Sequence, residues 1–193
     1  MLCTEVVGKL GDVAFAGMDV DYVELNWDEA FKRLHRKVSV GGRDVGIRLG
    51  DWVLQKGLST GDVLGVDETG DAPVAVAVRL LPTKCLVIDV DPGHAFMLAK
   101  VGWEVGNTHT PLFFGEDGFQ LACAYTEPVE RLLTGLHGVA VRVEDFVLDP
   151  ARRVSNNAHH HHHGEGHDHA EGHEGVGGHH DHEGHTHPRA HED

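Results

Sequence analysis

The sequence lacks any hydrophobic run approaching the roughly 20 apolar residues that a helix needs to cross a bilayer. Its first residues also lack a basic segment followed by an apolar one, so we expect no secretory leader. Basic residues are scarce, with 16 Lys and Arg against 31 Asp and Glu and a net charge of −15. Because phosphate backbones are bound by basic surfaces, we expect no nucleic-acid partner, and we expect no membrane partner either.

Cysteine is also scarce, with only Cys3, Cys85 and Cys123 and no CxxC spacing. An odd number without that spacing argues against a disulfide framework and favours a reducing, cytoplasmic location. Each cysteine lies in an apolar run, where a buried thiol is a more common role than a metal ligand. The Walker A, GxGxxG and HExxH motifs are absent and no pair of carboxylates stands out, so we expect a protein that is not an enzyme.

Residues 1–82 consist of short apolar runs interrupted by glycine and aspartate. Apolar and polar residues largely alternate over residues 32–40, Gly41 and Gly42 turn the chain, and residues 45–49 return as a second strand. Two further strand patterns occupy residues 57–64 and 73–81. These regularly spaced short strand patterns predict a small all-β domain that ends near Pro82.

In residues 83–150, strand and helix patterns follow one another in the order βαββαβ. The predicted elements are a strand at 85–90, a helix from Asp91 to about Val105, strands at 112–114 and 119–125, a helix from Thr126 to Gly138, and a strand at 139–143. This order predicts a ferredoxin-like domain. The fold class is therefore expected to be α+β.

The remaining residues, 151–193, contain almost no large apolar side chains and hold 14 of the 18 histidines. Low hydrophobicity and low complexity predict a disordered tail. Imidazole suits zinc, copper and nickel, and a flexible chain can close several imidazoles around one ion. A purification tag would explain the five consecutive histidines but not the varied sequence after them. The expected metal ligands of the tail are His159, His160, His161, His162, His163, His167, His169, His173, His179, His180, His182, His185, His187 and His191.

One more histidine, His109, lies in the turn 105–111 between an apolar helix pattern and an apolar strand pattern. Gly106 and Asn107 are expected to stop the helix, and Pro111 prevents a new one from starting. On these grounds alone, a histidine in a turn is more often a hydrogen-bonded structural residue than a ligand. It becomes a metal site if a two-fold axis brings a second copy alongside.

The segment Gly106-Asn107-Thr108-His109 with Pro111 resembles the GNRHxP signature of the urease accessory protein UreE family, which are nickel metallochaperones. The similarity includes the helix that precedes this segment, the stretch 42–64 and the histidine-rich tail, so that it covers about residues 30–193. Two departures stand out. Thr108 replaces the usual arginine, and residues 122–126 lack the histidines of some members, so an auxiliary copper or nickel site is not expected there unless Cys123 serves as a substitute thiolate.

The resemblance implies a homodimer with an N-terminal peptide-binding-type domain and a C-terminal ferredoxin-like metal-binding domain. His109 from each subunit would share one nickel ion, and the tail would supply further ligands. Nickel would pass to the urease accessory GTPase and on to the apo-urease complex. The alternative is a general metal storage or buffering protein acting through its tail, because imidazole chemistry alone does not separate nickel from competing zinc or copper.

Overall fold

The computed structural model describes residues 1–154, which form an α+β structure with more sheet than helix. No helix in this part of the chain is long and apolar enough to span a membrane. The fourteen tail histidines predicted as ligands, from His159 to His191, lie outside the described residues.

Seven strands precede Pro82 and form two sheets. They are β1 (Leu2–Cys3), β2 (Gly8–Lys9), β3 (Asp19–Leu25), β4 (Leu34–Val38), β5 (Asp44–Arg48), β6 (Asp62–Asp67) and β7 (Val74–Leu80). One sheet has the order β1-β5-β4 and the other the order β2-β6-β7-β3. The predicted hairpin is confirmed as the antiparallel pair β4–β5, with the positive φ of Gly42 (86°) in its turn.

The prediction of a purely β segment is wrong in one respect. A one-turn helix, α1 (Val53–Lys56), lies between β5 and β6, and 3-10 turns occupy Val13–Phe15 and Glu29–Phe31. These elements are too short to produce a helical period that can be read from the sequence. The alternation of apolar and polar residues also does not indicate that β1 pairs with β5, and β3 with β7, in parallel.

Six elements follow Pro82 in the predicted order βαββαβ. They are β8 (Thr83–Val90), α2 (Met97–Asn107), β9 (Phe113–Phe114), β10 (Gln120–Ala124), α3 (Glu127–Thr134) and β11 (Val139–Phe146). The four strands form one sheet in the order β11-β8-β10-β9, and all neighbours are antiparallel. α2 begins later than predicted, because Asp91 instead caps a 3-10 turn at Pro92–His94 by accepting a hydrogen bond from the amide of Gly93.

Strand β8 is buried on both faces, which explains its nearly continuous apolar sequence. Leu86 and Ile88 join a core with the helices α2 and α3, whereas Cys85 and Val87 face a second cluster with Phe113. Helix α2 contributes Met97, Val101 and Val105 to the first core at intervals of four residues. The helix is thereby fixed on the sheet with its opposite face exposed.

The chain before and after Pro82 packs together. The ring of Trp27 lies edge-on to that of Phe113 with centroids 6.2 Å apart. Gly57 has a φ of 70°, and a Cβ there would lie 2.5 Å from Pro150. Residues 1–154 belong to one compact unit, so a division into separate domains at Pro82 stays a prediction.

Candidate metal centre

His109 lies directly beyond the C-terminal end of α2. The last helical residues are Gly106 and Asn107, and the amide of His109 donates a 3.0 Å hydrogen bond to the carbonyl of Gly106. The helix is fixed by the buried side chains of Val101 and Val105. His109 itself is exposed, so its imidazole is accessible to solvent and to ions.

The backbone of His109 has a φ of 57°, the only positive φ of a non-glycine residue within residues 1–154. The expectation that Gly106 and Asn107 stop the helix is therefore wrong, because both are helical and His109 makes the turn itself. A left-handed conformation costs a residue with a Cβ roughly 1–2 kcal/mol. Such conformations cluster at functional sites, where the surrounding structure maintains them.

Thr108, the residue directly after α2, anchors this turn through its side chain. Its hydroxyl donates a 2.7 Å hydrogen bond to the carbonyl of Val105 and lies 2.8 Å from the hydroxyl of Thr110. Thr108 stands where the resemblance predicts arginine, so in this chain the anchoring is local.

His109 borders a shallow cleft of about 380 Å³. The cleft is lined by Gly102, Gly106, His109, Thr110, Pro111, Leu112, Arg153 and Val154. A Cβ added at Gly102 or at Gly106 would meet nothing within 4 Å. The side of α2 that leads to His109 is therefore open and lacks side chains at these two positions.

The beginning of the predicted tail lies along this cleft. Residues Pro150–Arg152 form a 3-10 turn, Arg153 forms a β-bridge with Phe113, and the amide of Val154 donates to the carbonyl of Leu112 at 2.8 Å. The predicted tail starts at residue 151, but its first four residues are part of the described structure, and Arg153 and Val154 lie beside His109.

Residues 1–154 of one chain do not surround His109 with other ligands. Within residues 1–154, no group of three or more histidine, cysteine, aspartate or glutamate side chains is arranged to hold a metal ion. The described part of one chain therefore offers one imidazole at this position, which is too few for tight binding.

The cysteines are poor ligands. Cys3, Cys85 and Cys123 are all buried and unpaired. Burial raises the pKa of the Cys85 thiol to about 11 and that of the Cys123 thiol to about 12, so neither forms a thiolate at neutral pH. Cys123 lies in the core beneath the helices. The structure therefore argues against Cys123 as a replacement for the missing histidines of β10.

The other three histidines of residues 1–154 lie in two places. His35 is half-buried and contacts the carbonyl of Lys32 at 2.9 Å, and its burial lowers the pKa of its imidazole. His94 and His137, which the sequence analysis did not connect, have their Nε2 atoms 3.1 Å apart although they are 43 positions apart in the chain. Only the pairing of β8 with β11 reveals this proximity.

The sequence also contains one GxSxG pattern, Gly57 to Gly61. In esterases such a serine lies between a strand and a following helix. Here the pattern has the reverse setting, after α1 and before β6. Ser59 is buried, and its amide donates to the carboxylate of Asp62 at 2.7 Å. The geometry of a nucleophilic serine is not present.

Basic side chains along β4 and just before it are matched by carboxylates, so this stretch is not a free positive surface. The ion pairs are Lys32–Asp28, Arg33–Asp51, Arg36–Asp44 and Lys37–Glu29. The pairing agrees with a solvated strand edge rather than with a docking surface for an acidic partner.

The described residues thus form an α+β fold in which His109 is exposed just beyond the end of a helix. Comparison with known proteins makes this more specific. Residues 3–77 match the family model described as the UreE urease accessory protein, N-terminal domain. A urease accessory protein UreE of Helicobacter pylori is 34% identical over 160 residues, which cover 83% of this chain and 89% of that protein.

Related proteins extend the match. A urease accessory protein UreE of Helicobacter acinonychis is 32% identical over the same length, and one of Helicobacter hepaticus is 28% identical over 155 residues, or 80% of this chain and 84% of that protein. The chain therefore belongs to the family of urease accessory proteins UreE.

Proposed function

We propose that this protein is a nickel-binding metallochaperone that delivers nickel ions for assembly of the urease metallocentre. The observation that carries the proposal is the exposed imidazole of His109, held in a left-handed conformation at the end of a helix fixed to the sheet. Imidazole is a good ligand for Ni²⁺, and a site with few protein ligands releases its ion readily. Ready release suits transfer to another protein.

The proposal includes a homodimer in which two copies of His109 share one ion. Its support is the exposed face of α2, where Phe96 and Trp103 are 70% and 68% exposed and Gly102 and Gly106 leave the backbone uncovered. Large exposed apolar side chains commonly mark protein–protein contacts. In a two-fold dimer the same surface of both chains meets at the axis. If the axis passes through this face of α2 close to His109, it brings the imidazole of the second chain close to that of the first.

The histidine-rich tail would supply further ligands to the same ion and hold additional ions. Val154, the last described residue, lines the His109 cleft, and His159 follows it by only five residues. Five residues span at most about 18 Å. That length suffices for the first tail histidines to reach the cleft.

We further propose that residues 83–150 form a ferredoxin-like domain, supported by the antiparallel strand order β11-β8-β10-β9. Family membership supports the urease accessory GTPase and the apo-urease accessory complex as partners, and the cytoplasm as the location. The acidic chain, with its net charge of −15, favours cation binding.

The test is nickel-dependent activation of apo-urease at limiting nickel. We would compare the wild type, His109→Ala and a full-length variant in which all fourteen tail histidines are asparagine. Delivery through the shared site predicts a large loss of activation in His109→Ala and partial activity in the tail variant. His35→Ala is the matched control, because it removes one histidine elsewhere and should activate normally.

The alternative, a metal buffer acting through the tail, predicts the opposite order. In that case the tail variant would lose its nickel-dependent effect and His109→Ala would keep it. Equal activation by His109→Ala and the wild type would contradict the proposed role of His109.

A further inference from the structure

A second pair of imidazoles lies at the other end of α2 from His109. The Nε2 atoms of His94 and His137 are 3.1 Å apart, and the two rings meet edge to face with centroids 4.6 Å apart. His94 belongs to the 3-10 turn before α2, and His137 lies between α3 and β11. His137 is exposed and His94 is partly exposed, so solvent reaches the pair.

The backbone around the pair is firmly connected. The amide of Asp91 donates to the carbonyl of Gly138 at 2.9 Å, and the amide of His94 donates to the carbonyl of Asp91 at 2.7 Å. Gly138 has a φ of 72°, and a Cβ there would lie 2.9 Å from the Cβ of His94. The glycine therefore permits the close approach of the two segments, and their separation is fixed by the fold rather than by two mobile side chains.

A carboxylate orients one of the two rings. Nδ1 of His94 lies 3.2 Å from Oδ2 of Asp91. Because an ionised carboxylate only accepts hydrogen bonds, Nδ1 must carry the proton. Nε2 of His94 then has a free lone pair directed at His137. A carboxylate behind a histidine is the arrangement that orients histidine ligands in metal sites.

The separation of the two nitrogens matches that of two ligands on one ion. Metal–nitrogen bonds are about 2.0–2.1 Å long. If the nitrogen–metal–nitrogen angle lies between the square and the tetrahedral value, the two nitrogens are about 2.9–3.4 Å apart. We propose that His94 and His137 form a second binding site on each chain for a divalent transition ion of the copper, nickel and zinc class.

Binding at this site requires a rotation of the rings that turns both Nε2 atoms towards the ion, and a change of proton position. Without an ion, Nε2–H of His137 donates to Nε2 of His94. With an ion, that proton leaves to solvent and the ring of His137 is protonated at Nδ1 instead, so both imidazoles stay neutral. Two imidazoles leave the remaining coordination positions to water or to a chelating ligand, which agrees with the absence of a group of three ligands within residues 1–154.

This site is independent of the proposed function at His109. The eleven residues of α2 separate the two positions by about 16 Å, so one ion cannot contact both. The pair also needs no second chain. Loss of one site therefore leaves the other intact, and the two proposals fail separately.

The test uses the full-length, ¹⁵N-labelled chain with all fourteen tail histidines replaced by asparagine, so that the tail does not compete, and the probe Cu²⁺–nitrilotriacetate, which leaves two adjacent coordination positions open. At substoichiometric probe we expect paramagnetic broadening of the amide signals of Val90, Gly93, Gly138 and Val139. His94→Gln and His137→Gln should each reduce this local broadening at least fivefold, whereas His109→Ala and the matched control His35→Gln should leave it unchanged.

A second measurement needs no variant. Addition of Zn²⁺ to the wild type should shift the imidazole ¹⁵N signals of Nε2 in both His94 and His137. The proposal is overturned if these signals do not move, if the four amides broaden no more than those around His35, or if either single variant keeps the full effect. The last result would mean that one imidazole binds alone and that the pair is only a hydrogen bond.

Discussion

The amide of Val154 donates a 2.8 Å hydrogen bond to the carbonyl of Leu112, three residues beyond His109. This bond joins the start of the histidine-rich tail to the rim of the His109 cleft. Val154 therefore lies at the cleft that His109 borders, five residues before the first of the tail histidines in the sequence.

Removing this bond should loosen the attachment. Val154→Pro eliminates the donor, and we expect the free energy of unfolding to fall by about 1 kcal/mol relative to Val154→Ala, which keeps the amide. Urea denaturation of the two variants measures the difference. Equal stability would show that the bond contributes nothing to the fold.

The left-handed backbone of His109 makes a prediction about stability that is separate from metal binding. Glycine accepts a φ of 57° without a steric penalty, whereas alanine does not. In metal-free buffer, His109→Gly should therefore be more stable than His109→Ala by about 1 kcal/mol. Chemical denaturation with a chelator present tests this, and an alanine variant as stable as the glycine variant would argue against the conformation.

Thr108 should support the same turn through its hydroxyl. Thr108→Val keeps the shape but removes the 2.7 Å hydrogen bond to the carbonyl of Val105, and we expect a loss of about 1 kcal/mol in the free energy of unfolding. Thr108→Ser keeps the hydroxyl and is the matched control. If the valine variant unfolds at the same urea concentration as the serine variant, the hydroxyl does not anchor the turn.

The N-terminal sheets should show a specific acid sensitivity. Hydrogen bonds from Arg43 and Thr69 lower the pKa of Asp67 from 3.8 to about 2. Because the folded-state pKa lies below the unfolded one, Asp67 stabilises the fold fully above pH 3.8, and this contribution disappears as the pH falls towards 2. Asp67→Asn should thus be less stable than the wild type at neutral pH.

The difference between Asp67→Asn and the wild type should shrink as the pH falls from about 4 towards 2, which denaturation curves at several pH values measure. Asp71→Asn is the control, since Asp71 is exposed four residues further along the chain. A difference that is independent of pH would mean that the charge of Asp67 is not the cause.

Local patterns in the sequence predicted much of this structure. The alternation around Gly41 and Gly42 located the β4–β5 hairpin, and the order of elements after Pro82 was predicted correctly. These features depend on residues close together in the chain. The start of α2 was misplaced because Asp91 is a good cap for either a 3-10 turn or an α-helix.

Long-range contacts could not be read in this way. The parallel pairing of β3 with β7 joins residues about 55 positions apart, and the His94–His137 contact spans 43. Nothing in the spacing of either pair indicates contact, because only the sheet order brings them together. The turn at His109 was located correctly but its strained residue was not, since glycine is the usual residue at positive φ and Gly106 lies three residues earlier.

The sharing of one ion between two copies of His109 can be measured directly in mixed dimers. In a background with all fourteen tail histidines replaced by asparagine and His94 and His137 replaced by glutamine, differently tagged chains with His109 or with His109→Ala are combined, and native mass spectrometry counts nickel ions on each dimer. We predict one ion on the dimer with His109 in both chains and none on either the mixed or the fully substituted dimer at the same free nickel concentration. A mixed dimer that retains nickel as well as the dimer with His109 in both chains, or a protein that is monomeric with nickel bound, would contradict the shared site.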